Sequence, residues 1–301
     1  MESVTTQTGS SRAPALPADL RLGAVHLTVA NVERSVAWYE RALGLVVHGH
    51  DAAWTELGDG SEPAVIVLHE DPAARPPGRH AGLYHYALLY ANREALAHAA
   101  MRLAATQTPI QGASDHGTHE AIYLGDAEGN GIELAADRPR EQWPRGLGYQ
   151  GGPAPLDLDS LLSAAAGTQP GPSVDAGLRV GHVHLHVGDV GEGLAFYRDT
   201  LGFEEQANLG SAAFVSAGGY HHHVAFNVWR GRGVGPAPAH TVGLRHWTVV
   251  LTTEEDVASV RARVDAAGLG VEPVDGGFLT RDPSENAVVF GSAATAHERS
   301  A

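Results

Sequence analysis

Apolar and polar residues alternate over residues 24–29 (AVHLTV) and again over 182–187 (HVHLHV). Each run then changes to helical spacing and stops at a Leu-Gly pair, Leu43-Gly44 and Leu201-Gly202. Period two is the mark of a strand, three-to-four spacing that of a helix, and a Leu-Gly stop that of a helix C-cap. Set against each other at an offset of 158 with no gap, residues 24–45 and 182–203 are identical at nine of 22 positions: Val25/Val183, His26/His184, Leu27/Leu185, Val29/Val187, Val32/Val190, Ala37/Ala195, Tyr39/Tyr197, Leu43/Leu201 and Gly44/Gly202. A weaker pair joins 85–110 to 246–271, again strand into helix, with Asn92 and Thr253 as N-caps. Both continue to a turn and a last strand, 126–133 (DAEGNGIE) and 282–289 (DPSENAVV). The pattern predicts four strand–helix–strands modules, at 22–69, 82–135, 180–229 and 244–291. Residues 136–177, rich in Pro, Gly and Ser around one helix candidate at 156–165, read as a linker. Residues 1–19 and 293–301 read as tails, the first of them flexible, leaving an N-terminal domain at 20–135 and a C-terminal domain at 178–292.

Composition narrows the chemistry. The chain has 301 residues, with 35 acidic against 20 basic side chains and a net charge of −15. That balance argues against a nucleic-acid partner, which would select a basic footprint. The longest apolar stretches, 65–68 and 247–251, are strand-sized, so no membrane span is expected. The first 19 residues have no basic start followed by an apolar run, so a soluble cytoplasmic protein is the expectation. There is no cysteine, which removes disulfides, iron–sulfur clusters and thiolate zinc sites. Any metal must then sit on nitrogen and oxygen donors, and histidine occurs 18 times. Turns such as 128–131 (EGNG) are hairpin chemistry rather than phosphate loops.

The paired strand–helix–three-strand modules resemble the vicinal oxygen chelate superfamily, which includes glyoxalase I, extradiol catechol dioxygenases and antibiotic-resistance proteins. The segments GAVHLTVANVERSVAWY (23–39), QGASDHG (111–117), AIYLGDAEGNGIEL (121–134), DRPREQWP (137–144), VGHVHLHV (180–187), SAGGYHHHVAFNVW (216–229) and GLRHWTVVL (243–251) are similar to the CatE-like catechol-2,3-dioxygenase subfamily. The resemblance implies an α+β fold of four βαβββ modules forming two paired-module cups. It implies an extradiol ring-cleaving dioxygenase that uses non-haem Fe(II), with Mn(II) as the other candidate ion, and takes an aromatic diol and O2. One scaffold serves several chemistries. A glyoxalase-type metal-dependent lyase or isomerase, which usually wants a fourth protein ligand, and a non-catalytic small-molecule binder are therefore the alternatives. A homo-oligomer is left open.

In such proteins the resemblance places ligands at the opening strand of a module and a carboxylate on its final strand. The opening position holds Ala24, His85, His182 and His246 in the four modules, and the carboxylate position holds Glu133 in module 2 but Val289 in module 4. A carboxylate in an apolar strand is costly unless a cation or metal partners it. The resemblance further implies a His on the last strand of the module giving the first ligand, here His222, where module 1 has Glu62. It also implies a Tyr ten residues before the Glu, here Tyr123, where module 4 has Leu279. Two His and one Glu form the facial triad of non-haem iron, which leaves three positions open. The expected ligands are His85, His182 and Glu133, with His246 as an alternative. The expected catalytic residues are His222, as base or proton donor, Tyr123, as hydrogen-bond partner of the substrate oxygen, and His116, on the loop before the Tyr123 strand. The complete set comes from modules 2 and 3, so those two are expected to share one cup, and modules 1 and 4 the other. The commoner layout pairs 3 with 4. Within 221–223, strand alternation is expected to offer the cup either His222 or His221 with His223. His26 and His184 read as structural or as supports of the ligands.

Overall fold

The computed structural model describes residues 13–51, 53–61, 63–144 and 152–293. Module 1 contains β1 (Arg21–Val29), α1 (Val32–Leu43), β2 (Val46–His50), β3 (Thr55–Gly58) and β4 (Ile66–Glu70). Module 2 contains β5 (Gly82–Leu89), α2 (Arg93–Ala105), β6 (Gly112–Asp115), β7 (His119–Gly125) and β8 (Gly131–Asp137). A short β9 (Ala154–Pro155) and α3 (Leu158–Ser163) follow, then module 3 with β10 (Arg179–His186), α4 (Val190–Leu194), β11 (Glu204–Asn208), β12 (Ala212–Ser216) and β13 (Val224–Asn227). Module 4 contains β14 (Gly243–Leu251), α5 (Glu254–Ala266), β15 (Glu272–Val274), β16 (Gly277–Arg281) and β17 (Ala287–Ser292). The α+β class and the modular plan are those the sequence pattern predicts.

Equivalent caps recur in the repeats. Asn31 and Asp189 accept backbone N–H groups at the starts of α1 and α4, and Asn92 and Thr253 do so for α2 and α5. α1 ends on Gly44 in the left-handed region (φ +71°). Its counterpart departs from the repeat: after α4 the chain widens into a π-turn over Ala195–Thr200, closed by Leu201 N–H donating to Phe196 O at 2.9 Å.

Two sheets result. One runs β15-β16-β17-β14-β1-β4-β3-β2 and the other β11-β12-β13-β10-β5-β8-β7-β6-β9. Module 4 thus joins module 1, and module 3 joins module 2, through antiparallel centres β14/β1 and β10/β5. The halves of the chain on either side of 136–177 each contribute to both sheets. Alternation sends one face of each central strand into a shared core: Val25, Leu27 and Val29, Val183, Leu185 and Val187, Tyr86 and Leu88, Trp247 and Val249 are all buried. Burial of each such side chain stabilises by about 1.5–3 kcal/mol. The opposite faces carry the histidines.

The core is braced twice. Tyr39 of α1 donates its hydroxyl to Asp126 at the β7–β8 turn (2.7 Å), and Tyr197 donates to Asp282 at the β16–β17 turn (2.9 Å). Asn130 and Asn286 donate to the same two carboxylates, each at 2.9 Å. Each brace ties one sheet to the other. Burial pushes both aspartates above the ordinary carboxylate range, against the lowering effect of these hydrogen bonds.

The segments flanking the modules are packed where they are described. Leu16 is buried and donates its N–H to Gly202 O (2.9 Å), and Asp19 accepts from Thr252. The 152–177 stretch is docked on α2, where Arg93 donates to Ser160 O, His98 Nδ1 lies 2.7 Å from Asp175 Oδ2, and Arg102 donates to the carbonyls of 171–173. Among the described residues no helix is long and apolar enough to cross a membrane.

Candidate metal centre

β5 and β10 lie side by side at the centre of their sheet, His85 opposite His184. β8 runs parallel to β5 with Glu133 beside Ala87, and β7 runs antiparallel to β8 with Tyr123 opposite Glu133. His85, Glu133 and His182 therefore point into one concave face, and all three are buried. His85 Nε2 and His182 Nε2 lie 3.2 and 3.1 Å from Glu133 Oε2, and 3.3 Å from each other. Three donors at right angles about an ion with bonds of about 2.1 Å would stand about 3 Å apart, so this triangle fits one face of an octahedron. The donor set, two imidazoles and one carboxylate, is the one non-haem iron(II) or manganese(II) takes with three positions left open.

The protonation states suit that use. Burial works to raise the Glu133 carboxyl, but His182 and the hydrogen bonds from His119, His182 and His85 overcome it and hold the group well below the ordinary range. Burial lowers His182, partly offset by Glu133, so it stands as a neutral imidazole at pH 7. A metal needs its ligands deprotonated.

Around this triangle sit the other residues expected from sequence. His222 is buried with its ring 4.1 Å from that of His182 and its edge against Phe214. Burial, then His182 and His221, hold it well below the usual histidine value. Tyr123 OH is 2.7 Å from His116 Nε2, and burial followed by His119 lowers His116 to about 4. A cavity of about 220 Å³ opens beside these groups, lined by Tyr84, His85, Gln111, Tyr123 and Ile132 among others. At its rim Tyr84 meets Trp229 edge-on at 5.3 Å, and both are largely exposed.

His246 is not brought to this place. It lies on β14 in the other sheet, its ring stacked 3.9 Å from that of His26, whose Nδ1 is 3.0 Å from His69 Nε2. Glu62 falls outside the described residues. The alternation expected for 221–223 also fails. These residues precede β13 and are not in a strand, so His221 and His222 both turn inward, Nδ1 to Nδ1 at 3.0 Å, while His223 Nδ1 accepts from Ala217 N–H. His184, read as a support, has its Nε2 2.9 Å from Asn227 Nδ2.

Two groups beside the triangle were not foreseen, His119 and Asp137, and they cluster with His221, which alternation offers to the cup only together with His223. The three have donor atoms within 4.8 Å of one another. The rings of His119 and His221 are stacked, 4.5 Å apart and 16° from parallel, so their in-plane lone pairs run side by side instead of converging on an ion. His119 Nε2 instead lies 3.1 Å from Glu133 Oε1. The signal for His119 and Asp137 lay in period two: 119, 121 and 123 share one face of β7, and 133, 135 and 137 one face of β8.

The model of the Glyoxalase/Bleomycin resistance protein/Dioxygenase superfamily matches residues 21–134 and 179–290. A catechol-2,3-dioxygenase of Bacillus subtilis (strain 168) is 39% identical over 277 residues, covering 90% of this chain and 96% of that protein. A crystal structure from Bacillus subtilis subsp. subtilis str. 168 superposes with a TM-score of 0.61 at 15% identity, covering 90% of this chain and 85% of the other. Glyoxalase I from Zea mays superposes with a TM-score of 0.57 at 14% identity, covering 93% and 95%.

Proposed function

The chain belongs to the Glyoxalase/Bleomycin resistance protein/Dioxygenase superfamily, and within it we propose that it is an extradiol dioxygenase that opens the ring of a catechol-type substrate. The observation that carries this reading is the convergence of His85, His182 and Glu133 on one point with edges of 3.1–3.3 Å. Three donors favour it over a glyoxalase-type lyase, which usually takes a fourth. The name of the 39%-identical Bacillus relative is in keeping with it.

In this reading His85, His182 and Glu133 hold the ion. Iron(II) bound there supplies open positions at which a vicinal diol and O2 meet, and it acidifies the diol. Glu133 contributes one negative charge and the imidazoles none, so one positive charge of a divalent ion would be left for a diol that has lost a proton to balance. His222, unprotonated at neutral pH, takes the hydroxyl proton of the arriving diol, whose negative charge raises the imidazole's affinity for it. Tyr123, held by His116, presents its oxygen to the substrate oxygen on the same side as Glu133. Tyr84, Phe214 and Trp229, in ring contact with one another or with His184 and His222, offer apolar faces to the substrate ring.

The test is anaerobic loading with Fe(II), followed by catechol and air. A yellow ring-cleavage product in stoichiometry with consumed O2 is expected. Fully loaded protein that consumes no O2 with catechol or its ring-substituted analogues contradicts the proposal.

A further inference from the structure

Glu133 uses its two oxygens differently. Oε2 faces His85 and His182, while Oε1 receives His119 Nε2 at 3.1 Å, both partners nearly sealed from solvent. The direction of that last hydrogen bond can be fixed. An ionised carboxylate only accepts, so His119 Nε2–H is the donor to Oε1, and the Thr118 hydroxyl lies 2.9 Å from its Nδ1. The His119 ring cannot swing, because it lies between His116 (4.4 Å, 7°) and His221 (4.5 Å, 16°) in a three-ring stack. Each ring of the stack touches a different part of the site: His116 holds Tyr123, His119 holds Glu133, and His221 holds His222.

Carboxylate end groups rotate broadly about their last bond. A Glu with both oxygens available can bind an ion through two atoms and close one of the positions a diol and O2 need. We propose that His119 is a positioning residue that occupies Glu133 Oε1, so that the carboxylate presents Oε2 alone to the ion, with Thr118 holding the far nitrogen of the ring and the His116–His119–His221 stack fixing its plane. This rests on the metal-site reading above. Outer partners of this kind typically govern metal affinity by about 10- to 100-fold.

The experiment uses the full chain with Co(II) as probe, measuring Kd and the visible ligand-field spectrum for wild type, His119→Phe, His119→Gln and Thr118→Val, with the metal-free Tm of each. His119→Phe keeps a ring in the stack and removes the donor. It is expected to weaken Co(II) at least tenfold and to change the spectrum. His119→Gln, whose amide nitrogen reaches about as far as Nε2, is expected to recover most of both, and Thr118→Val to lose a smaller factor. Unchanged affinity and spectrum in His119→Phe overturn the proposal, as does an equal loss in Phe and Gln variants. Should His119→Phe not fold, Thr118→Val decides, and wild-type affinity and spectrum there overturn it. Failure of the wild-type chain to bind Co(II) overturns the metal-site reading itself, a distinguishable result.

Discussion

Position for position, the cup on β5 and β10 differs from the cup on β1 and β14 where a metal would be held. His85 corresponds to His246, His182 to Ala24, Glu133 to Val289 and Tyr123 to Leu279. The correspondence is structural as well as sequential, since Tyr123 pairs with Glu133 across β7 and β8 as Leu279 pairs with Val289 across β16 and β17. In the first cup three donors converge. In the second, His246 stacks face to face on His26 and no carboxylate takes the equivalent place. The Tyr–Asp–Asn brace, by contrast, is present in both halves with nearly the same distances. The repeat needed the brace twice to join two sheets, but the proposed chemistry needs its triangle once.

The largest expected effect separates the cups outright. Glu133→Ala should weaken Fe(II) or Co(II) binding at least about a hundredfold, beyond the range of outer-partner changes, and abolish ring cleavage, as read by metal analysis and O2 uptake. Next come the braces. Tyr39→Phe and Tyr197→Phe should each cost about 1–3 kcal/mol, since each leaves a buried carboxylate short of a donor, and the two losses in urea denaturation should be alike. A large loss in one alone would show that the halves are not mechanically equivalent.

A smaller effect is one of pH. Burial lowers His116, His186, His223 and His246 to about 4 from an ordinary 6.5. The unfolded chain binds protons that the folded one refuses, so their stability contribution is complete above about pH 6.5 and is lost as pH falls toward 4. The urea midpoint of the metal-free protein should fall across that window, and His246→Gln should flatten the slope by the share belonging to the second cup. The smallest effect expected is that of His246→Ala on metal affinity, within about twofold, as for independent distant sites. A tenfold loss there would break the comparison.

Much of this was legible in the chain. The candidate ligand positions stood out because the repeat shows what each module holds at the same place, and Ala24 and Val289 marked the second cup as lacking the same set. The cross-pairing of modules followed from where the complete set lay, and the strand order has modules 2 and 3 in one sheet. His119 was hidden because its partner Oε1 lies across a strand pair, and only the register of β7 on β8 brings them together. The inward turn of both His221 and His222 was hidden because alternation applies within strands, and this segment stops short of one. Nor does the repeat foretell the π-turn at Ala195–Thr200, where module 3 leaves the helical course of module 1.

The most direct measurement is a crystal structure of the protein loaded anaerobically with Fe(II) or Mn(II), with anomalous scattering recorded at the metal edge. One peak is expected, within about 2.0–2.3 Å of His85 Nε2, His182 Nε2 and a single oxygen of Glu133. A peak beside His26, His69 and His246 instead, or none near Glu133 in protein that binds the ion in solution, would contradict it.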